Sequence, residues 1–131
     1  METSIVKLNP ELLAMFAGGS TDASLDIFKN EIFLQKITIA GTGYCENIEE
    51  VFPQLQEQTV LSLQRDPKNE HDELAIGVYF KGERIGWVPR KQNEVVARLM
   101  DAGKKLFVRI TSLQEESDKW KHIEGDMLMI D

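Results

Sequence analysis

The run Arg65-Asp-Pro-Lys-Asn-Glu-His-Asp72 gathers hydrogen-bonding groups into one short polar loop between two apolar segments. Asn69, His71 and Asp72 supply an amide, an imidazole and a carboxylate, donors and acceptors for a ligand resting against a sheet. The plainer reading is a loop that holds itself together, because Pro67 fixes the backbone and Asp66, Asn69 and Asp72 bond nearby amides in turns. Further along, Trp87 is followed closely by Pro89, Arg90 and Lys91. An aromatic beside two cations suits stacking on a nucleic-acid base with contact to its phosphate. The competing reading puts Trp87 in the core, on one face with Ile85, although Gly86 leaves a neighbouring position open. Tyr44, just after Gly41-Thr-Gly43, offers a second stacking surface. Lys104 and Lys105 extend a basic rim, or else match the dipole at a helix C-terminus.

Enzymatic chemistry finds little support. Cys45, His71 and Asp72 are the residue types of a cysteine-nucleophile site, but adjacent His and Asp in one turn rarely face each other. One cysteine and two widely spaced histidines match no zinc pattern. Neither a phosphate-binding Gly-x-x-x-x-Gly-Lys loop nor a dinucleotide fingerprint is present. The expectation is therefore a non-enzymatic chain with no catalytic residues, no metal and no cofactor.

The chain has 131 residues, enough for one domain with a single core. Its net charge of −7 opposes a polyanionic partner at face value. The distribution removes much of that objection: residues 36–114 carry eleven basic and eleven acidic side chains. Residues 1–35 carry two basic against five acidic groups, and residues 115–131 two against six. The acidity belongs to the flanks, and a neutral centre can present a basic face. No stretch approaches the roughly 18 apolar residues of a membrane helix, so no membrane partner is expected. The first residues lack a secretory pattern, and a lone Cys45 fits a reducing compartment, which together predict a cytoplasmic protein.

The elements that must position these groups change character along the chain. Asn9-Pro-Glu opens a helix that Gly18-Gly19 would stop, and Leu25, Phe28 and Ile32 recur at helical spacing, which predicts a helical extension over 1–33. From Leu34 the pattern is one of strands. Ile37 and Ile39 alternate; Glu46 to Phe52 reads as a loop or short turn; Thr59 to Arg65 and Ile76 to Phe80 are strands; Lys81-Gly-Glu83 turns into Ile85-Gly-Trp-Val88. Val96, Leu99 and Met100 share one helix face, with Gly103 as the stop. Leu106, Val108 and Ile110 alternate through a further strand. The tail, 115–131, reads as an acidic C-terminal hairpin or edge strand. The predicted class is mainly β with helices (α+β): a small six-stranded barrel over 34–114, with one helix between later strands.

Leu63-Gln-Arg-Asp-Pro67, Asn69, Asp72, Ala75-Ile76, Gly82 and Ile85-Gly86, in this order and spacing, resemble the HIRAN domain across Lys36 to Gln114. That family occurs alone in bacteria and at the front of helicase-like repair translocases. The resemblance implies a barrel related to the oligonucleotide-binding fold, and capture of the 3′ end of single-stranded DNA in repair or replication-fork processing. It implies base stacking at Tyr44, recognition of the DNA end by Asn69 and Asp72, and a phosphate contact at Arg90. The chain departs from the repair proteins at Gly43, where they carry arginine, at Cys45, where they carry a second aromatic, and at His71, where they carry tyrosine. Each lost base stack would weaken binding by roughly 1–3 kcal/mol, a loss that Trp87 would partly restore. Helicase or nuclease activity, fused to such domains elsewhere, would come from a partner protein. The alternative is a protein–protein interaction module that keeps the barrel without binding DNA.

Overall fold

A computed structural model describes residues 30–117 and 119–130. Six strands form one antiparallel sheet: β1 (Glu31–Thr38), β2 (Val60–Arg65), β3 (Ile76–Phe80), β4 (Glu83–Trp87), β5 (Lys105–Glu115) and β6 (Lys121–Ile130), in the spatial order β1-β6-β5-β2-β3-β4. Two helices interrupt it, the single turn α1 (Ile48–Val51) and α2 (Glu94–Asp101). The six strands and the helix between later strands are as the sequence predicts. The outer strands of the order come together at one point. Just past β1, Ala40 exchanges both backbone hydrogen bonds with Trp87 at the end of β4, each 2.8 Å.

Alternation explains most of this. Leu61 and Leu63, Ile76 and Val78, and Leu106, Val108 and Ile110 place branched apolar side chains on the core side, where all are buried. Ile37, Ile39, Ile85, Ile123 and Met127 join them, and α1 and α2 close the cluster with Ile48, Val51, Val96 and Ala97. The β3–β4 hairpin turns on Lys81 and Gly82, with φ of 48° and 86°. Two consecutive positive φ values are those of a type I′ turn, whose twist matches that of paired strands. Gly103, φ 94°, follows α2 in the left-handed conformation that ends helices.

Two expectations need correction, the helical reading up to residue 33 and the opening at Gly86, and two that left alternatives are decided. The helical reading of 1–29 lies outside the described residues, but Glu31, Ile32 and Phe33 are strand, not helix: they pair with Ile130, Met129 and Leu128 of β6. Sheet pairing with a neighbour far along the chain overrides the local spacing of Ile32. The segment after Glu46 contains a true helical turn, held because Ile48 and Val51 bury their side chains. The tail forms a hairpin with β5, yet β6 lies between β1 and β5 and is not an edge. Lys121 and Gly125 at buried positions, and Leu128 buried out of turn, blur the alternation. Gly86 leaves nothing open: a Cβ there would fall 2.4 Å from Ile39 Cγ2 and 2.6 Å from the Ala40 carbonyl oxygen, so its bare backbone is what admits the bridge to β1.

Candidate nucleic-acid interface

The turn after β1 is built to hold an aromatic outward. Gly41 adopts φ 71°, and the Tyr44 and Cys45 amides donate to the Gly41 and Thr42 carbonyls in a 3-10 turn. Buried Thr42 fastens this turn to the start of β6: its Oγ1 donates to the Lys121 carbonyl at 3.2 Å and accepts from the Lys121 amide at 2.9 Å. Next door, the Lys121 ammonium is buried against the Phe52 ring, and donates to Glu115 at 2.6 Å and to the Ser117 carbonyl at 2.8 Å. These bonds fix the β5–β6 hairpin end, so Trp120 arrives beside the turn.

The result is a paired aromatic surface. Tyr44 is 77% exposed and meets Trp120 edge to face, with ring centroids 5.3 Å apart and planes at 83°. Trp120, itself 45% exposed, occupies the space a side chain at Gly43 would need. Gly41 continues the surface, because a Cβ built there would lie 2.8 Å from the Trp87 ring and 3.7 Å from Tyr44. Three aromatics thus border two bare glycine backbones.

Beyond Trp87 the surface carries a cation. β4 holds one residue more than β3 at this point: Tyr79 pairs with Arg84 and Val78 with Gly86, leaving Ile85 bulged toward the core. The bulge resets the alternation, so Arg84 and Trp87 share the outer face, whereas strict period two would separate them. The Arg84 guanidinium lies 5.1 Å from the Trp87 ring and 5.5 Å from the Tyr79 ring. Its Nε and one terminal nitrogen donate to the Tyr79 hydroxyl at 3.2 and 2.9 Å. Tyr79 in turn lies across Gly77, whose Cβ would sit 2.7 Å from the ring.

The polar loop is closed on itself. Asn69 Oδ1 accepts the His71 and Asp72 amides at 2.8 and 3.1 Å, while its Nδ2 donates to Asp66 at 3.1 Å. Asp72 accepts the Leu74 amide at 2.9 Å and the Asn93 side-chain amide at 2.8 Å. The Leu74 bond first, then Asn93, hold its carboxyl below the usual range. Arg65 fastens the loop base, donating to the Glu73 and Ala75 carbonyls and pairing with Asp101 at the end of α2. Arg90 caps the loop, donating to the His71 carbonyl at 3.1 Å, with Asp72 3.7 Å away. The His71 side chain is left exposed.

Of the residues singled out in the sequence, the structure brings Tyr44 and Trp87 together across Gly41, and joins Asn69, His71, Asp72 and Arg90 in one loop assembly. Lys91 goes elsewhere, into a groove of about 410 Å³ with Leu34, Gln35, Val95, Val96 and Leu99. Trp120, Arg84 and Tyr79 were missed. Trp120 reaches the site only through the long β5–β6 pairing, and Arg84 only through a bulge that no local pattern announces. As for a cysteine nucleophile, Cys45 is buried, which pushes its thiol pKa up, the opposite of activation. Among the described residues no group of three or more His, Cys, Asp or Glu is arranged to hold a metal. No helix among them is long and apolar enough to cross a membrane.

Similar proteins place this geometry. Over 67 residues, 48% of this chain, the sequence is 39% identical to the Fanconi-associated nuclease 1 homolog of Oryza sativa subsp. japonica, and the match spans only 6% of that protein. A crystal structure of a protein from Lactobacillus plantarum superposes with a TM-score of 0.70 at 28% identity, covering 76% of this chain and 95% of that one. The crystal structure of the HIRAN domain of human HLTF superposes with a TM-score of 0.58 at 17% identity, covering 76% and 78%, a likeness of fold. The HIRAN domain family model matches residues 32–125, reaching from β1 into β6 and taking in the turn, the polar loop and the bulged β4. With most of its length and its six-stranded sheet accounted for in this way, the chain belongs to the HIRAN domain family.

Proposed function

We propose that this domain is a non-catalytic module that binds single-stranded DNA, with its site at the Tyr44–Trp120 pair and the adjoining loop. The observation that carries the reading is that pair: two exposed rings, held by buried hydrogen bonds and bordered by bare glycine backbone. Aromatics fixed outward at the cost of their own burial suit unstacked bases, each stack contributing roughly 1–3 kcal/mol. Membership of a nucleic-acid-binding family supports the same conclusion.

The loop supports a preference for a 3′ end. The Asn69 oxygen already accepts two backbone amides, so Asn69 acts by shaping the loop. Asp72 keeps acceptor capacity, because only one of the four lone-pair sites of an ionised carboxylate goes to Leu74 and one to Asn93. It would accept a terminal hydroxyl, with the exposed His71 ring and Arg90 beside it for the last phosphate. The setting would be repair or fork processing, with helicase or nuclease activity supplied by a partner protein.

Fluorescence anisotropy with short oligonucleotides, carrying free or blocked 3′ hydroxyls, tests this across salt concentrations. Binding that weakens with salt and with blocking is expected. Equal binding of both ends would reduce the function to general strand binding. The chain's net charge of −7 keeps a second reading in view, a protein-interaction module. Retention of a protein partner after nuclease digestion, with no oligonucleotide bound at low salt, would establish that instead.

A further inference from the structure

Arg84 is a cation on the aromatic face that the proposed site does not use. Its guanidinium lies over the rings of Tyr79 and Trp87, and two of its five N–H donors go to the Tyr79 hydroxyl. Among the described residues no carboxylate lies within ion-pair distance of it. Asp66 acts on it from beyond contact, and the Asp66 carboxylate already accepts from Asn69. An exposed arginine pinned in one orientation by ring contacts and a hydroxyl has given up much of its freedom before any ligand arrives. Among the described residues its remaining donors have no hydrogen-bond or ion-pair partner.

The surroundings give those donors a direction of use. Gly41 lies under the Trp87 ring with Tyr44 beside it, and Gly77, opposite Trp87 in the β3–β4 pairing, lies under the Tyr79 ring, so the three rings follow one another in a continuous path. That path runs from the Tyr44–Trp120 pair past Trp87 to Arg84 and Tyr79, along the outer face of β3 and β4. A strand whose end is held at the Asp72 loop and whose terminal bases stack at Tyr44 needs a cation where its next phosphates cross the sheet, and Arg84 lies on that outer face. We propose that Arg84, oriented by Tyr79 and Trp87, is a phosphate-binding residue that extends the site beyond the terminal bases along β3 and β4. The proposal rests on the single-strand reading above and adds a footprint and a path to it.

The test compares wild type with Arg84→Gln, Arg84→Lys and Tyr79→Phe, each first checked for an unchanged melting temperature. Binding of a dinucleotide and of an oligothymidylate of about ten nucleotides, within the 4–16 a single site of this kind spans, is followed by anisotropy across salt. Arg84→Gln should weaken the longer ligand roughly 10-fold or more, as loss of a hydrogen bond to a charged group does. It should also flatten the slope of log K against log salt by about 0.7, and leave the dinucleotide unaffected. Arg84→Lys should keep the slope, because the charge remains. Tyr79→Phe should weaken the longer ligand without changing the slope. If wild type binds and Arg84→Gln matches it in affinity and slope, the extended path is wrong while the single-strand reading stands. If wild type binds neither ligand at low salt, both fall.

Discussion

Trp120 lies across Gly43: a Cβ built on that glycine would fall 2.5 to 2.7 Å from three atoms of the indole ring. The absence of a side chain at residue 43 is therefore the condition for Trp120 to stand beside Tyr44. At this position the space of a side chain is taken by an aromatic arriving from the turn between β5 and β6. Gly43→Ala should push the ring aside. Because that ring is 45% exposed and can turn toward solvent, stability should change by less than about 1 kcal/mol. Tryptophan emission should shift, and oligonucleotide binding should weaken several-fold. Trp120→Ala should remove roughly 1–3 kcal/mol of binding. Unchanged emission in Gly43→Ala would contradict the packing.

Thr42 is predicted to matter to the site without touching a ligand. Thr42→Val keeps the shape and leaves the buried Lys121 amide and carbonyl without their partner. The expected cost is about 1–3 kcal/mol in urea unfolding. Binding should fall as well, because the hairpin end carrying Trp120 loses its fastening to the Tyr44 turn. A stability loss with wild-type affinity would separate the two roles.

Asp72 sets a pH dependence. Its folded pKa is lowered, first by the Leu74 amide and then by Asn93, so its contribution is full above the unfolded value of about 3.9 and is lost as pH falls through the folded value. Asp72→Asn should cost about 1–2 kcal/mol at neutral pH. The gap to wild type should narrow toward pH 3. Urea denaturation at both pH values measures it, and a gap that stays constant would assign the cost to shape alone.

Cys45, the chain's single cysteine, should react slowly. Burial raises its thiol pKa and only Arg84 pulls the other way. Alkylation at neutral pH should run well below the rate of a free thiol and recover it on unfolding. Rapid native labelling would mean that the turn at Gly41–Tyr44 opens.

Much of this was legible in the sequence because strands with one core face advertise themselves. Ile76, Val78 and Phe80, or Leu106, Val108 and Ile110, alternate plainly, and Lys81-Gly82 announces its own turn. The polar loop between β2 and β3 was legible too, down to Asn69 and Asp72, whose side chains bond locally. What escaped depends on distance or on a broken period. β6 is interior, but Lys121 and Gly125 take buried positions where the pattern calls for large apolar side chains. Trp120 meets Tyr44 only because Thr42 and Lys121 join segments far apart in the chain. Arg84 shares a face with Trp87 only because Ile85 is bulged. Lys91 sits two residues from Pro89, close to the site in sequence, yet turns into the groove beside α2.

The chain's two tryptophans, Trp87 and Trp120, both lie on the proposed strand path, so their own fluorescence reports on the central claim. Titration of the folded protein at low salt with an oligothymidylate of about ten nucleotides should quench them saturably, and added salt should reverse it. Trp120→Phe should lose a large part of the quench while Trp87 keeps the rest. Emission unchanged at saturating oligonucleotide would contradict the account.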